Sequence, residues 1–340
     1  VPNRIELSEM KNIISEGMEA GCLGFSTGLV YEPGRYSKTE EIIELAKILN
    51  KYDGVYVSHM RNEAEGLLES INETAIVGLQ SGVKVEISHL KSVGKDNWGN
   101  SDRALDLITK YHQEGLDINV DQYPYTARST MLKALMLNET FNYKNKTSPM
   151  GKSMPNEVLL CSVPNEDSLE GKTLEDIQNL YDLPIEETVK KLLDEVSDKI
   201  LVAAFGMDEK DVRNIMKNKL TMIGTDGIDV GSKPHPRAWG TYPRILDEYV
   251  NKLSIISLEN AIYKMTKLPA TKFGIKNRGE IKNNFWADLI IFDQKKIKDN
   301  STFIDPKHGP SGIEYVFVNG KKSVADGMIL EEYAGSTIRK

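Results

Sequence analysis

The sequence predicts an α/β protein with a parallel sheet, and two observations support this class. The first is a repeated phrase in which a short β-branched run ends in histidine: Val55 to His59 and, about 30 positions later, Val85 to His89. This separation matches one β-helix-β unit, so the two strands are expected to be parallel neighbours. The second is the alternation of strand-like and helix-like segments along the chain, which is typical of parallel sheets.

Five strand-helix units can be recognised. The strands are expected near residues 22–27, 55–59, 83–89, 116–122 and 220–226. Segments with apolar residues at helical spacing lie between them and end at glycines such as Gly54, Gly82 and Gly115. Five such units can form an open doubly wound sheet or part of a closed barrel, and composition does not distinguish the two.

The remaining segments depart from this rhythm. Roughly 90 residues separate the fourth and fifth strands, and we interpret residues 131–219 as an insertion with helices near Pro184 to Glu195 and Glu209 to Lys217. From Asn277 onward, short strands and tight turns predict a small β-domain built from hairpins. The expected domains are therefore 1–275 and 276–340.

Composition excludes several classes of protein. The 340 residues carry a net charge of −7, with 40% hydrophobic and 27% charged residues, which argues against a nucleic-acid-binding protein. No apolar run is long enough to span a bilayer, so no membrane partner is expected. The only cysteines are Cys22 and Cys161, which excludes a disulfide framework and favours a cytoplasmic location.

Three polar residues at strand ends predict a metal-dependent hydrolase. Side chains alternate along a strand, so each histidine is expected on the face of the β-branched residues two and four positions before it. His59 and His89 should therefore lie side by side at the carboxyl ends of neighbouring strands, where a metal can bind. Asp226 adds a carboxylate that can ligate the ion and transfer a proton. Satisfied core histidines and a turn aspartate before Gly227 are the alternatives.

Other polar residues suit an anionic substrate. Lys91 follows His89 by two positions, and Arg237 lies in a loop with two prolines. Together with hydroxyl groups, such cations form a clamp for a carboxylate. The expected contacts are Lys91, Tyr123, Tyr125, Ser129 and Arg237. Surface ion pairs for the cations and simple packing for the tyrosines are the alternatives.

Seven motifs occur in an order that resembles the D-aminoacylases, the N-acyl-D-amino-acid deacylases of the amidohydrolase superfamily. They are Gly24 to Leu29, Ser58 to Glu63, Ile87 to Lys91, Asp121 to Thr126, Gly224 to Gly227, His235 to Arg237 and Ala287 to Phe292. Each motif alone is weak, but together they cover nearly the whole chain.

This resemblance implies a (β/α)8 barrel flanked by a small β-sandwich, with one tightly bound zinc ion. The implied reaction is hydrolysis of a small-molecule N-acyl-D-amino acid to a carboxylate and a free D-amino acid. His59 and His89 match the zinc-binding histidines of the family, and Asp226 matches its catalytic aspartate, which acts as general base and acid. Lys91, Arg237 and the segment 123–129 match the region that holds the substrate's α-carboxylate.

The chain departs from the family pattern in one respect. Family members carry a His-x-His pair on the first barrel strand, and this sequence contains none. The first strand here resembles the fourth of the barrel, so the chain is expected to comprise strands four to eight and the carboxyl-terminal part of the sandwich. We accordingly expect that this polypeptide alone is poorly stable, self-associates through the open barrel edge, or needs the missing part from elsewhere.

Two other functions and the substrate preference stay open. One alternative is a hydantoinase-like or dihydroorotase-like enzyme, but strand 22–27 lacks the lysine that such enzymes place on the fourth barrel strand. The other is a non-catalytic fragment without the His-x-His ligands. The side-chain preference is not specified, although Arg35 and Arg128 are candidates for recognising an acidic side chain, with solvated loop charges as the alternative.

Overall fold

The central feature of the molecule is a five-stranded parallel sheet. The structure, a computed structural model, describes residues 1–145, 147–331 and 333–339. The strands are adjacent in the order β1-β2-β3-β4-β8, and every pair is parallel. Their bounds are β1 Gly24–Gly28, β2 Val55–His59, β3 Lys84–Ile87, β4 Ile118–Gln122 and β8 Thr221–Ile223. The predicted parallel α/β architecture is confirmed.

Helices pack on one face of this sheet and form the main core with it. They are α1 Arg4–Glu19, α2 Thr39–Ala46 (continued by a 3-10 turn at Lys47–Tyr52), α3 Leu67–Ser81, α4 Ser101–Gln113 and α8 Glu209–Lys217. On the strands, Tyr56, Val85, Ile87 and Val120 contribute fully buried side chains to this core. Helix α3 ends at Gly82, whose left-handed φ of 72° is the usual glycine C-cap.

The strand register assigns the two faces of the sheet and corrects one prediction. Val57 pairs with Glu86, so these two side chains project from the face opposite to Val85 and Ile87. Because β3 ends at Ile87, the alternation does not continue to His89. The prediction that His89 shares a face with Val85 and Ile87 is therefore wrong, and a turn places its ring instead.

The segment between β4 and β8 forms a second sheet that the sequence pattern did not predict. Strands β5 Ala127–Met131, β6 Val158–Ser162 and β7 Leu201–Phe205 are antiparallel in the order β5-β7-β6. Helices α5 Leu132–Leu137, α6 Leu174–Tyr181 and α7 Ile185–Lys191, continued by a π-helical turn at Leu192–Val196, accompany this sheet. The segment has a hydrophobic core of its own. Helices are present at both predicted positions.

The carboxyl-terminal region contains three helices and a third sheet. The helices are α9 Arg237–Arg244 (continued by a π-helical segment at Ile245–Lys252), α10 Leu258–Met265 and α11 Lys267–Lys272. The strands β9 Leu289–Phe292, β10 Ile313–Val318, β11 Lys321–Ala325 and β12 Met328–Ile329 form an antiparallel sheet in the order β12-β11-β10-β9. The predicted strands and hairpins are present there. Among the described residues, no helix has the length and apolar character needed to cross a membrane.

Candidate active site

The two predicted histidines lie in contact at the carboxyl end of the parallel sheet. Their ring centroids are 4.4 Å apart in an edge-on arrangement. His59 is the last residue of β2, whereas His89 follows β3 in a left-handed conformation with φ of 40°. The His89 N–H donates to Asp121 Oδ1 at 2.8 Å, and this contact from β4 supports a backbone conformation that histidine seldom adopts. The turn thus brings the His89 ring to His59.

Glu63 is the charged residue at the centre of this cluster. Its Oε1 lies 3.0 Å from His89 Nδ1 and 2.6 Å from Lys91 Nζ, and its Oε2 lies 4.0 Å from His59 Nε2. Its backbone is held on both sides, since its N–H donates to Pro149 O and its C=O accepts from Val93 N–H. Sequence analysis did not single out Glu63. The feature of the sequence that could have indicated a site role for Glu63 is its position in the polar stretch directly after the strand that ends at His59.

The electrostatics of the cluster suit metal ligands. Burial lowers the pKa of His59 to about 3, so its imidazole is neutral near pH 7. Burial alone would raise the pKa of Glu63, but the nearby Lys91 charge and the two histidines together hold it well below the usual range for glutamate. Burial lowers the pKa of Lys91, and the Glu63 carboxylate opposes that shift. Glu63 and Lys91 therefore form a buried ion pair.

The donor set fits a zinc ion. Within the described chain, His59, Glu63 and His89 are the group of histidine, cysteine and acidic side chains close enough to share a metal, with ligand atoms within 4.8 Å of one another. His59 Nε2 is buried and has no hydrogen-bond partner in the described residues, as expected for an atom that awaits a ligand. Neutral imidazole nitrogen and carboxylate oxygen are both zinc ligands. Glu63 Oε1 can also accept a hydrogen bond from the Nδ1–H of His89, which leaves His89 Nε2 free for the metal.

Asp226 borders the same cleft and forms an ion pair with Arg237. The cleft is lined by Ser26, Thr27, Val57, His59, Ser88, His89, Asp121, Gly224 and Asp226. Asp226 Oδ2 lies 2.8 Å from Arg237 Nη2, and Asp226 is not a member of the compact ligand group above. The following Gly227 is required by packing, because a Cβ there would lie 2.7 Å from the Ala238 Cα. The close approach of α9 thus positions the Asp226 turn.

The structure brings Lys91, Tyr123 and Arg237 together. The Arg237 guanidinium lies 4.5 Å from the centre of the Tyr123 ring, and Lys91 Nζ lies 5.7 Å from it. Arg237 is 1% exposed, and its Nε and Nη1 atoms, like the Tyr123 hydroxyl, have no hydrogen-bond partner in the described residues. These three groups offer unused donors to an anion.

The other two predicted substrate contacts lie differently. The Tyr125 hydroxyl is 3.5 Å from both Pro236 O and Asp299 Oδ2, so it is directed toward the carboxyl-terminal segment. Ser129 lies in β5 opposite Ala203 and is half-buried. The structure does not bring either side chain into the Lys91–Tyr123–Arg237 group.

His235 anchors the loop that carries Arg237. Its Nε2 lies 2.9 Å from Ala127 O, and its Nδ1 accepts the Arg237 N–H at 3.1 Å. Burial, reinforced by the Arg237 charge, lowers the pKa of His235 well below its usual value. The ring is therefore neutral with its proton on Nε2, and it ties the Arg237 backbone to β5.

Comparison with known proteins identifies the family. No protein-family model matches the chain. The D-aminoacylase of Alcaligenes xylosoxydans xylosoxydans is 35% identical over 337 residues, which cover 98% of this chain and 65% of the relative. A solved D-aminoacylase structure, described as defining a novel subset of amidohydrolases, matches with a TM-score of 0.89 and 34% identity over 100% of this chain and 67% of that one. The chain belongs to the D-aminoacylase family.

Two further structures define the extent of this relationship. The N-acyl-D-glutamate deacylase of Bordetella bronchiseptica, solved with zinc and a phosphonate that mimics the tetrahedral intermediate, has a TM-score of 0.88 and 29% identity, covering 100% of this chain and 67% of its own. A D-hydantoinase from a Thermus species, at 14% identity and a TM-score of 0.56, covers 100% of this chain and 71% of its own and shows a shared amidohydrolase-type fold alone. This chain spans 65% of the length of the curated D-aminoacylase that it matches.

Proposed function

We propose that this protein is a zinc-dependent hydrolase of N-acyl-D-amino acids, which releases a carboxylate and a free D-amino acid. The observation that carries the proposal is the convergence of His59, His89 and Asp226 on one cleft beside the Lys91–Tyr123–Arg237 group. The first set suits a metal and a proton acceptor, and the second suits an anionic substrate. Membership of the D-aminoacylase family supports both assignments.

His59 and His89 are the proposed zinc-binding residues, with Glu63 beside them and Asp226 as a further ligand. Zinc bound there supplies Lewis acidity, which polarises the amide carbonyl and makes water a better nucleophile near neutral pH. Glu63 keeps the His89 ring oriented and balances the Lys91 charge. The low pKa of His59 keeps its nitrogen available for the metal rather than for a proton.

Arg237, Lys91 and Tyr123 are proposed to hold the substrate's α-carboxylate. Arg237 uses Nη2 for Asp226, so its unpartnered Nε and Nη1 atoms remain for a carboxylate, and the buried Tyr123 hydroxyl can donate a further hydrogen bond. Tyr125 and Ser129 remain proposed substrate contacts with less geometric support. Tyr125 can contribute by bracing the loop of Arg237 through Pro236 and Asp299.

Asp226 is the proposed general base and acid. It takes a proton from the attacking water and returns it to the leaving nitrogen, a role that requires a carboxylate facing the reacting bond. The Arg237 guanidinium, 2.8 Å away, fixes the direction of the carboxylate. The same arginine thus links the α-carboxylate of the substrate to the group that moves the proton.

The architecture fits this proposal if β1, β2, β3, β4 and β8 are strands four to eight of a (β/α)8 barrel. Residues 276–340 would then contribute part of a small β-sandwich, and residues 131–219 would form an insertion in the catalytic domain, residues 1–275. In the described sheet, β1 and β8 each pair on one side alone, and such edges are sites for self-association. A cytoplasmic location also stays a proposal, based on the two free cysteines.

The test combines metal content and turnover on the purified chain. We expect about one zinc per chain and release of amino acid from N-acetyl-D-methionine or N-acetyl-D-glutamate, but not from the L-enantiomers. Asp226→Asn should lower the turnover rate by about a hundredfold or more. Asp229→Asn is the control, because Asp229 is exposed in the same loop, and this substitution should not change the rate.

The outcomes separate the alternatives. Zinc with D-specific turnover that depends on Asp226 supports the proposal. Hydrolysis of cyclic amides instead would indicate a hydantoinase-like enzyme. Little zinc and no turnover would indicate a non-catalytic product, in agreement with the absence of His-x-His from the sequence.

A further inference from the structure

Glu170 is a buried carboxylate that joins two segments distant along the chain. It directly follows the 3-10 turn Asp167–Leu169 and is 8% exposed. Its Oε1 accepts the Val163 N–H at 2.8 Å, and its Oε2 accepts both the Ser232 N–H, at 2.7 Å, and the Ser232 hydroxyl. The carboxylate therefore links the end of β6 to the loop that contains Ser232.

The turn that carries Glu170 is fixed on the antiparallel sheet. Leu160 of β6 accepts the Gly171 N–H at 2.8 Å and donates its own N–H to Lys172 O at 2.9 Å. Leu169, directly before Glu170, is buried together with Leu160 in the hydrophobic core of this segment. Main-chain pairing and apolar packing thus hold Glu170 in place.

The loop that Glu170 contacts lies directly on the same sheet. Gly231 has a left-handed φ of 83°, and a Cβ there would lie 2.5 Å from the Ser162 Cβ. Two positions later, the Lys233 side chain lies against Gly171, where an added Cβ would be 2.7 Å from Lys233 Nζ. The contact with Glu170 therefore lies at the centre of a close approach between this loop and the end of β6.

This loop has little other support. Within the described chain, residues 228–234 form no hydrogen bond between main-chain groups. Asp229 forms an ion pair with Lys307 at 3.4 Å, but both side chains are exposed, and such pairs contribute little. Glu170 therefore supplies the buried polar contact that fixes the middle of the loop.

The loop connects the two groups that the proposed reaction needs. Asp226 precedes it in a left-handed conformation with φ of 47°, and its side chain is 40% exposed. Arg237 follows it, and the hydrogen bonds of His235 fix that end on β5 independently. The Asp226 end depends on the Arg237 ion pair and on the packing of Gly227. A change in the shape of the loop therefore affects Asp226 more than Arg237.

We propose that Glu170 is a positioning residue, which holds this loop in the shape that directs the Asp226 carboxylate toward the reacting bond. The inference rests on the function proposed above and adds a residue outside the cleft on which proton transfer depends. Burial alone would raise the pKa of Glu170, but hydrogen bonds from Ser232 and Val163 hold it below the usual value for glutamate. The group is therefore ionised near pH 7. A glutamine cannot replace it, because an amide offers a single acceptor oxygen.

The first test is Glu170→Gln, assayed with N-acetyl-D-methionine. Displacement of a reacting group by about 1 Å can cost about a hundredfold in rate, so kcat should fall by about tenfold or more. KM should stay within about threefold, because His235 still holds Arg237 for the substrate's carboxylate. Glu175→Gln is the control, at an exposed position on α6 of the same segment, and it should change neither constant.

Hydrogen exchange measures the same contact without turnover. In Glu170→Gln, the Ser232 amide should exchange about tenfold faster or more, because a charge-assisted hydrogen bond is lost. Ser232→Ala removes the hydroxyl donor but keeps the N–H, so kcat should fall by about threefold. Added to Glu170→Gln, Ser232→Ala should lower kcat no further, because both substitutions act through one contact.

The outcomes separate this proposal from the deacylase function. A lower kcat at constant KM, with faster exchange at Ser232, supports the role of Glu170. An unchanged kcat in Glu170→Gln, or a further loss on addition of Ser232→Ala, would overturn that role while the deacylase function stands. A loss of kcat that disappears well below the melting temperature of the variant would also overturn it, because it would indicate a structural role alone.

A wild-type chain that cleaves no N-acetyl-D-amino acid would overturn the proposed function. The exchange rate at Ser232 then decides on Glu170 by itself. Faster exchange in Glu170→Gln supports its hold on the loop, and an unchanged rate overturns it.

Discussion

At the scale of single side chains, Glu63 connects the two proposed metal-binding histidines with the buried Lys91 charge. It balances Lys91, contacts His89 and lies close to His59, and the Glu63 and Lys91 side chains are both buried. A buried ion pair gains little over an apolar pair, but removal of one partner leaves the other charge uncompensated. The position of Glu63 therefore affects both stability and metal binding.

The first prediction concerns Glu63→Gln. The substitution keeps the shape and removes the charge, so Lys91 is left buried without a counterion, and the free energy of unfolding should fall by about 3–5 kcal/mol. Urea unfolding of the metal-free chain measures this change. Glu65→Gln, at an exposed position two residues later, should alter it by no more than about 0.5 kcal/mol. Equal urea midpoints for the two variants would show that the Glu63–Lys91 pair does not contribute to the free energy of unfolding.

The second prediction is a pH dependence that arises from His235. Its pKa is held well below the value near 6.5 of the unfolded chain, so below pH ~6.5 the unfolded state binds more protons. The stability that the neutral ring contributes is thus complete above pH ~6.5 and is lost as pH falls further. The slope for one such group is up to about 1.4 kcal/mol per pH unit.

His235→Gln isolates this contribution, because glutamine can donate to Ala127 O but does not titrate. The difference in unfolding free energy between wild type and variant should shrink from pH 7 toward pH 5. The exposed His112→Gln on α4 should follow the wild-type curve. Parallel curves for wild type and His235→Gln would refute a buried neutral role for the ring.

The sequence predicts those proposed site residues whose position follows from strand ends. His59, His89 and Asp226 all follow strands of one parallel sheet, and the carboxyl ends of such strands meet. Glu63 and Asp121 were missed as site residues because their roles depend on contacts between segments distant along the chain. The location of His89 was predicted for an incorrect reason, since a left-handed turn and not strand alternation places its ring.

At the scale of secondary structure, the spacing of apolar residues was sufficient to predict an element where one of its faces is buried. The strands of the parallel sheet and helix α8 carry clear apolar patterns and were predicted. Strands β5 to β7 were not, partly because β5 carries Arg128 on its buried face, where the pattern leads one to expect an apolar residue.

The third prediction tests the contact between β1 and β2. A Cβ added at Gly24 would lie 2.0 Å from Val55 O, so Gly24→Ala should push the two strands apart and cost about 2 kcal/mol or more. Urea unfolding measures the loss. Gly309→Ala is a matched control, since nothing lies within 4 Å of the added Cβ, and it should change stability by no more than about 0.5 kcal/mol. If Gly24→Ala were equally mild, β1 would not pack tightly against β2.

At the scale of the whole molecule, the parallel sheet gathers the site from widely separated parts of the chain. Residues from β1, β2, β4 and the segments after β3 and β8 line one cleft, although more than half of the sequence lies between Ser26 and Asp226. Helix α9 then adds Arg237 beside it. The parallel strand topology could be inferred from the repeat of strands and helices. The position of Arg237 could not, because it depends on how α9 packs against the sheet.

The last prediction couples metal binding at His59, His89 and Glu63 to the stability of the whole fold. A ligand that binds the folded state stabilises it by RT ln(1 + [L]/Kd), which is about 2.7 kcal/mol at a hundredfold excess over Kd. Zinc added to the metal-free chain should therefore raise the urea midpoint, and a chelator should reverse the gain. His59→Gln and His89→Gln should each remove the response, while His112→Gln should retain it, because that ring lies on the surface of α4. A gain that persists without either site histidine would place the zinc elsewhere, and no gain in the wild type would show that these side chains do not hold the metal in this chain.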